Sequence, residues 1–186
     1  SSPVVAIHEG KVVDPIGIYY VKKYNLIILH ALTSIKNIEW QLAEQILSLS
    51  KLLNAQEILS IEGVISGKAS GESKTYYLTN NKKEPYGKKG MQKLKEGIVV
   101  GVTGSLLLKA KENLTCLFAE AHSNLPDSRA AASIIKALDE VFDFKIDYKP
   151  LLKKADEFEN KIKGIIQKGQ KVVNERDKRD ELNYLG

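Results

Sequence analysis

Residues 97–143 read GIVVGVTGSLLLKAKENLTCLFAEAHSNLPDSRAAASIIKALDEVFD, and this stretch decides the fold class. Two short apolar runs, Ile98 to Gly101 and Thr115 to Glu120, alternate with two helical patterns, Ser105 to Lys111 and Ser128 to Phe142. Strands alternating with helices are the signature of parallel strands joined by helical crossovers. Both runs are almost continuously apolar, as expected of strands covered on two faces. Gly101 and Gly104 sit where the chain must reverse tightly and approach a helix closely.

Working outward, the N-terminal side reads as more strands. Val4 to His8, Gly10-Lys11 and Val12-Val13 form a strand, a tight turn and a second strand, an expected hairpin. Ile18 to Val21 and Leu26 to His30 are two further strands around Lys22 to Asn25. A helix is expected over 38–53, capped by Asn37, with Ile38, Leu42, Ile46, Leu49 and Leu53 as one apolar stripe and Asn54 as a left-handed stop. Glu57 to Ile61 and Thr75 to Thr79 complete the strands.

On the C-terminal side, Lys145 to Tyr148 is an extended link and Pro150 a suitable first helical residue. Leu151, Ala155, Phe158, Ile162, Ile165, Gly169 and Val172 then recur with alternating steps of four and three, a coiled-coil seam that must be buried against the body or another molecule. A mixed-charge run follows from Asn174 to Glu181, and it carries an apolar, aromatic tip at Leu182, Tyr184, Leu185 and Gly186. The form is that of a docking peptide on a tether, or of a tip that folds back onto its own core. The resulting organisation is a core domain over 1–150, a helix over 151–174 and a tether with a tip over 175–186.

Charge and composition narrow the function classes. The 186 residues are 43% apolar and 27% charged, ordinary values for a globular protein. No apolar run reaches the length of a membrane span, and the opening is not a signal peptide. One cysteine, Cys116, rules out an internal disulfide, suits the cytoplasm and is expected to be an inert core residue. The lysine-heavy charge with scarce Cys, Met and Trp leans towards a thermophilic source. Between Gly67 and Lys95 eight lysines face only Glu72 and Glu84, a net +6 that leaves the rest of the chain at −1 of the total +5. The patch contains no arginine and matches no nucleic-acid module, so a solvated loop is the plain reading and an acidic protein surface the next.

Glu62, Glu120 and His122 fall near expected strand ends, where ligands bind in open α/β sheets. Together they would serve a nucleoside hydrolase or phosphorylase, the alternative function. They share no recognisable motif, and residues 101–104 are too short for a phosphate-binding glycine loop. His8, His30, His122 and Cys116 lack the spacing of a zinc site. No catalytic residue, metal or cofactor is therefore expected, and His30 is expected to be a core or strand-end histidine.

Three segments carry a family resemblance: Gly101-Val-Thr-Gly-Ser-Leu-Leu-Leu, Cys116-Leu-Phe-Ala-Glu-Ala-His, and Pro126-Asp-Ser-Arg-Ala-Ala-Ala before a helix. The chain resembles the proteasome assembly chaperone family, archaeal members above all, from about Val4 to Leu152. That resemblance implies an α/β three-layer sandwich with a mixed, mostly parallel sheet, similar to nucleoside phosphorylases but without their chemistry. It also implies a homo-oligomer whose partners are the 20S proteasome α-subunits or another protein, with no membrane and no nucleic acid involved. Some archaeal members end in a hydrophobic residue, a tyrosine and any residue. Here Tyr184 is third from the end and follows Asn183, so the match is approximate. Family members open with a glycine-rich strand, turn and helix, which is expected to be missing before Ser1.

Overall fold

A computed structural model describes residues 6–8, 10–14, 16–31, 36–65, 73–82, 85–111, 113–121 and 127–150, together with 152, 153, 156, 157 and 160. Along the described residues run β1 (Ala6–His8), β2 (Lys11–Val13), β3 (Ile16–Val21), β4 (Leu26–Ala31), α1 (Glu39–Leu52), β5 (Ile58–Ile65), β6 (Thr75–Thr79), β7 (Gln92–Lys93), α2 (Gly101–Lys109), β8 (Leu114–Ala121) and α3 (Ser128–Phe142). The class is the expected one, an α/β three-layer sandwich with a mixed, mostly parallel sheet. Its sheet runs in the order β5-β8-β6-β7, with β6 and β7 parallel. The expected hairpin is an antiparallel pair, β1 with β2, and the two further strands also pair antiparallel, β3 with β4.

The chain divides into two compact units. The first comprises Ser1–Glu62 and Tyr76–Phe118, the second Gly63–Thr75 and Ala119–Gly186.

In the first unit, β3 turns into β4 through a one-turn 3-10 helix (Lys22–Tyr24) closed by Asn25 at φ 48°. Asparagine tolerates that left-handed conformation better than most residues. Helix α1 starts one residue later than expected: Ile38 occupies the cap position without a side-chain cap, while Asn37 turns the chain at φ 70°. Asn54 takes φ 49°, the expected left-handed stop. Only the middle of the apolar stripe is covered. Ala43 beside it is fully buried, whereas Ile38 and Leu53 at its ends are exposed. Helix α1 packs on α2, and Lys109 joins them by an ion pair to Glu44 (2.5 Å) while lying over the Trp40 ring at 5.2 Å.

Strand β8 is the buried strand its sequence implies. Leu114 to Phe118 are all 1% exposed or less, and β8 lies between β5 and β6 in the sheet. Burying Leu114, Leu117 and Phe118 is worth about 1.5–3 kcal/mol each.

One expectation is corrected. Residues 98–100 belong to no sheet, and Ile98 is 94% exposed and Val100 69%. The strand position beside β6 is taken earlier, by Gln92–Lys93, with Leu94 N–H donating to the Tyr77 carbonyl at 2.8 Å. Helix α2 accordingly begins at Gly101, not Ser105. The two glycines keep their reasons: Gly101 sits at φ 76°, and a Cβ on Gly104 would meet the Val99 carbonyl oxygen at 2.8 Å.

In the second unit, α3 occupies the expected residues and buries Ala130, Ala132, Ile134 and Ala137. Asp127 accepts hydrogen bonds from the backbone N–H of Arg129 and Ala130, both at 3.0 Å, satisfying two donors that a helix start otherwise leaves open. Thr75 donates to Ser133 at 3.4 Å, which in turn donates to the Ala130 carbonyl. Beyond the helix, Asp143 turns at φ 53° and Phe142 stacks on Phe144. Lys149, Pro150, Leu152, Lys153, Asp156, Glu157 and Asn160 are helical.

Candidate partner-binding surface

The helix seam (Leu151, Ala155, Phe158, Ile162, Ile165, Val172), the tip (Leu182, Tyr184, Leu185, Gly186) and His122 lie outside the described residues. Of the polar strand-end residues, Glu62 belongs to the first unit and Glu120 to the second. His30 lies one residue from the end of β4 and is exposed. Among the described residues no group of His, Cys, Asp and Glu is placed to hold a metal ion.

Glu62 is half-buried, and its Oε2 is buried without a hydrogen-bond partner among the described residues. It lies near Cys116, whose thiol is pushed up to about 12, first by burial and then by the Glu62 charge. A thiol so shifted is no nucleophile at neutral pH, since the thiolate is the reactive form.

The best-ordered carboxylate is one the sequence marks only as the start of a strand. Glu57 Oε1 accepts from Thr115 Oγ1 at 2.5 Å and from Asn81 Nδ2 at 3.4 Å. Thr115 lies 2.6 Å from Thr79 Oγ1, which accepts the Asn81 backbone N–H at 3.0 Å. Thr115 gives its proton to Glu57, and the Thr79 hydroxyl, which also donates to the Leu114 carbonyl at 3.2 Å, shares its single proton between that carbonyl and Thr115. The Tyr86 hydroxyl is buried beside Glu57 and Thr115 without a well-aligned hydrogen bond, and burial followed by Glu57 raises its pKa. Asn80 closes the neighbouring gap: its amide donates to the Ala110 carbonyl (3.1 Å) and its oxygen accepts from Leu114 N–H (2.9 Å). This network fastens the start of β5, the end of β6 and the start of β8 together. Its hydroxyls and amides hold the carboxylate in place, the pattern of a structural anchor.

The open surface of the first unit lies elsewhere. A groove of about 680 Å³ runs between the start of α1, residues 94–101 and α2, with Trp40, Leu94, Val100, Leu107 and Leu108 among its walls. Trp40 is 52% exposed and Leu108 76%, beside the freely exposed Ile98. Glu39, Lys95, Glu96 and Ser105 supply its polar positions. A contiguous apolar surface with a few charges at its edge fits protein contact better than chemistry.

Fold and surface thus define an α/β sandwich with an exposed apolar groove and a structural polar network. The chain belongs to the PAC2 family, whose model matches residues 1–166. It is 26% identical, over 95% of its length and 74% of the relative's, to an uncharacterised protein of Methanocaldococcus jannaschii. Among solved structures it is similar to Pyrococcus furiosus PbaA, an archaeal homolog of proteasome-assembly chaperone, with a TM-score of 0.77, 24% identity, and coverage of 98% of this chain and 79% of that one. Pyrococcus furiosus PbaB, an archaeal proteasome activator, matches with a TM-score of 0.69 and 20% identity over 87% of this chain and 76% of its own.

Proposed function

We propose that this chain is a proteasome-related binding protein that acts without chemistry. PAC2 membership carries the reading, supported by the likeness to PbaA and PbaB. The carboxylate network adds a physical reason: Glu57 is tied to hydroxyls and amides where a general acid or base would need access to substrate. The chain self-associates through the α/β core (1–150) and the helix over 151–174, along Leu151, Ala155, Phe158, Ile162, Ile165 and Val172. Its tether (175–186) presents Leu182, Tyr184, Leu185 and Gly186 to 20S proteasome α-subunits. Several weak tips on one oligomer raise avidity when their spacing matches a ring-shaped target. We place it in the cytoplasm, needing neither cofactor nor metal; no helix among the described residues is long and apolar enough to cross a membrane.

Native mass spectrometry tests this reading. The chain alone should give a multiple of its 20.7 kDa mass, and mixing with 20S proteasome should give a heavier complex. Deleting Leu182 to Gly186 should abolish that complex and leave the oligomer intact. A monomer that never joins the proteasome would refute the proposal, and a truncated form that still binds would remove the tip from it.

A further inference from the structure

Lysines 88, 89, 93 and 95 lie in a stretch, Pro85 to Lys95, that contains no acidic residue. All four are exposed. A solvated loop would carry them loosely, but this backbone is fastened at both ends. Tyr86 is fully buried with its ring 5.6 Å from that of Tyr77, and Met91 is buried behind it. The Tyr86 carbonyl accepts from Lys89 N–H (3.1 Å) and Met91 N–H (3.4 Å), and Gly90 closes the turn at φ 85°. Gln92 and Lys93 then pair in register with Tyr76 and Tyr77.

We propose that Lys88, Lys89, Lys93 and Lys95 form a preorganised basic platform that docks an acidic segment of a partner protein. A fixed backbone lowers the ordering cost that a floppy cationic loop would incur on binding. Protection of a sheet edge explains lysines flanking β7, but not Lys88 and Lys89, which sit on a 3-10 turn off the strand. Nucleic acid is disfavoured: of the rings beside the lysines, Tyr77 and Tyr86 are 4% and 0% exposed, Tyr76 is only partly exposed, and Lys109 already lies over the ring of Trp40. Lys95, Glu39 and Glu96 line the apolar groove together with Trp40 and Leu108. An apolar side chain can enter the groove, while acidic groups pair with the exposed lysines of Pro85 to Lys95, a stretch with no carboxylate of its own. The segment recognised is acidic with one apolar anchor.

The inference rests on reading the chain as a protein-binding module, but its test involves no proteasome, so each can fail alone. The full chain is titrated into a fluorescent peptide of alternating glutamate and aspartate with a central phenylalanine, followed by anisotropy. A lysine version of the peptide and a single-stranded DNA of equal charge are the comparisons. Binding of the acidic peptide should weaken as salt rises from about 50 to about 300 mM, because exposed charges are screened. Changing Lys88, Lys89, Lys93 and Lys95 to serine should weaken it by roughly tenfold or more, as expected for several exposed pairs acting together. Removing the same charge elsewhere (Lys22→Ser, Lys36→Ser, Lys51→Ser, Lys111→Ser) should leave affinity within about twofold. Unchanged binding by the platform variant, equal loss in the control, or tighter binding of the DNA would each overturn the proposal.

Discussion

Two apolar runs separated by one short helix have opposite fates in this molecule. Leu114 to Phe118 are buried almost completely, whereas Ile98 and Val100 stand in the open beside the groove. Both are rich in strand-forming residues, so local preference does not separate them. Position in the sheet does. Strand β8 has neighbours on both sides, while the ladder beside β6 is already occupied by Gln92–Lys93 when the chain reaches Ile98. An apolar run left over after the sheet is assigned becomes surface, and surface of this kind is available for contact.

The sharpest way to break the comparison is to empty the buried side of it. Phe118→Ala removes a fully buried ring and should cost about 3–5 kcal/mol, read from denaturant midpoints at unchanged slope. A loss under about 1 kcal/mol would mean that β8 is not the packing centre of its unit.

Cys116 reports on the same strand through pH. Its thiol is held neutral up to about 12, above the ordinary 9.0. The stabilisation is fully present below the unfolded value and is lost as pH rises through that window, by up to about 1.4 kcal/mol per pH unit, because only the unfolded chain releases the proton there. Tyr86, also raised, adds a change of the same sign above its ordinary 10.0. Wild type should therefore lose stability faster than Cys116→Ala between pH 9 and 10, by thermal melting. Parallel curves would show that the thiol is not desolvated.

The hydroxyl chain gives an effect of comparable size. Thr115→Val keeps the shape and deletes the proton that Glu57 receives, leaving Asn81 at 3.4 Å as its partner in that chain. The expected cost is about 1–3 kcal/mol. It should be largely absent when Glu57→Ala, which leaves no acceptor, is already in place, since a double-mutant cycle isolates the shared bond. Additive losses would show that the two side chains do not act as one unit.

How much of this was legible beforehand follows from the range of each interaction. Helix α3 was readable to the residue, because Asp127, Ser128 and the small-residue spacing are local signals. The β1–β2 turn and the stop at Asn54 were readable for the same reason, Gly10 and a left-handed asparagine being local chemistry. Family likeness marked the 101–132 segments before any coordinate was known. The partnership of Glu57 with Thr115, 58 positions away, carried no local mark, and neither did the burial of Tyr86 beneath a lysine-rich turn. Residues 98–100 were misread because an apolar triplet records preference for a strand, not whether a neighbouring strand is free to pair.

Smallest in expected effect, and the cleanest test of the exposed side, is Ile98→Ser. The side chain is 94% exposed, so its removal forfeits almost no burial in the isolated protein and stability should change by less than about 0.5 kcal/mol. If the run is instead a contact surface, the cost appears only where a partner covers it. A serine there would weaken that contact by about 1 kcal/mol or more, the value of burying a few methylene groups. Measured in parallel, melting temperature and association should move independently: unchanged melting of the monomeric unit with weakened association marks a docking residue. A large loss of stability in the monomer would show that Ile98 is packed after all, and that the two runs differ less than their exposures indicate.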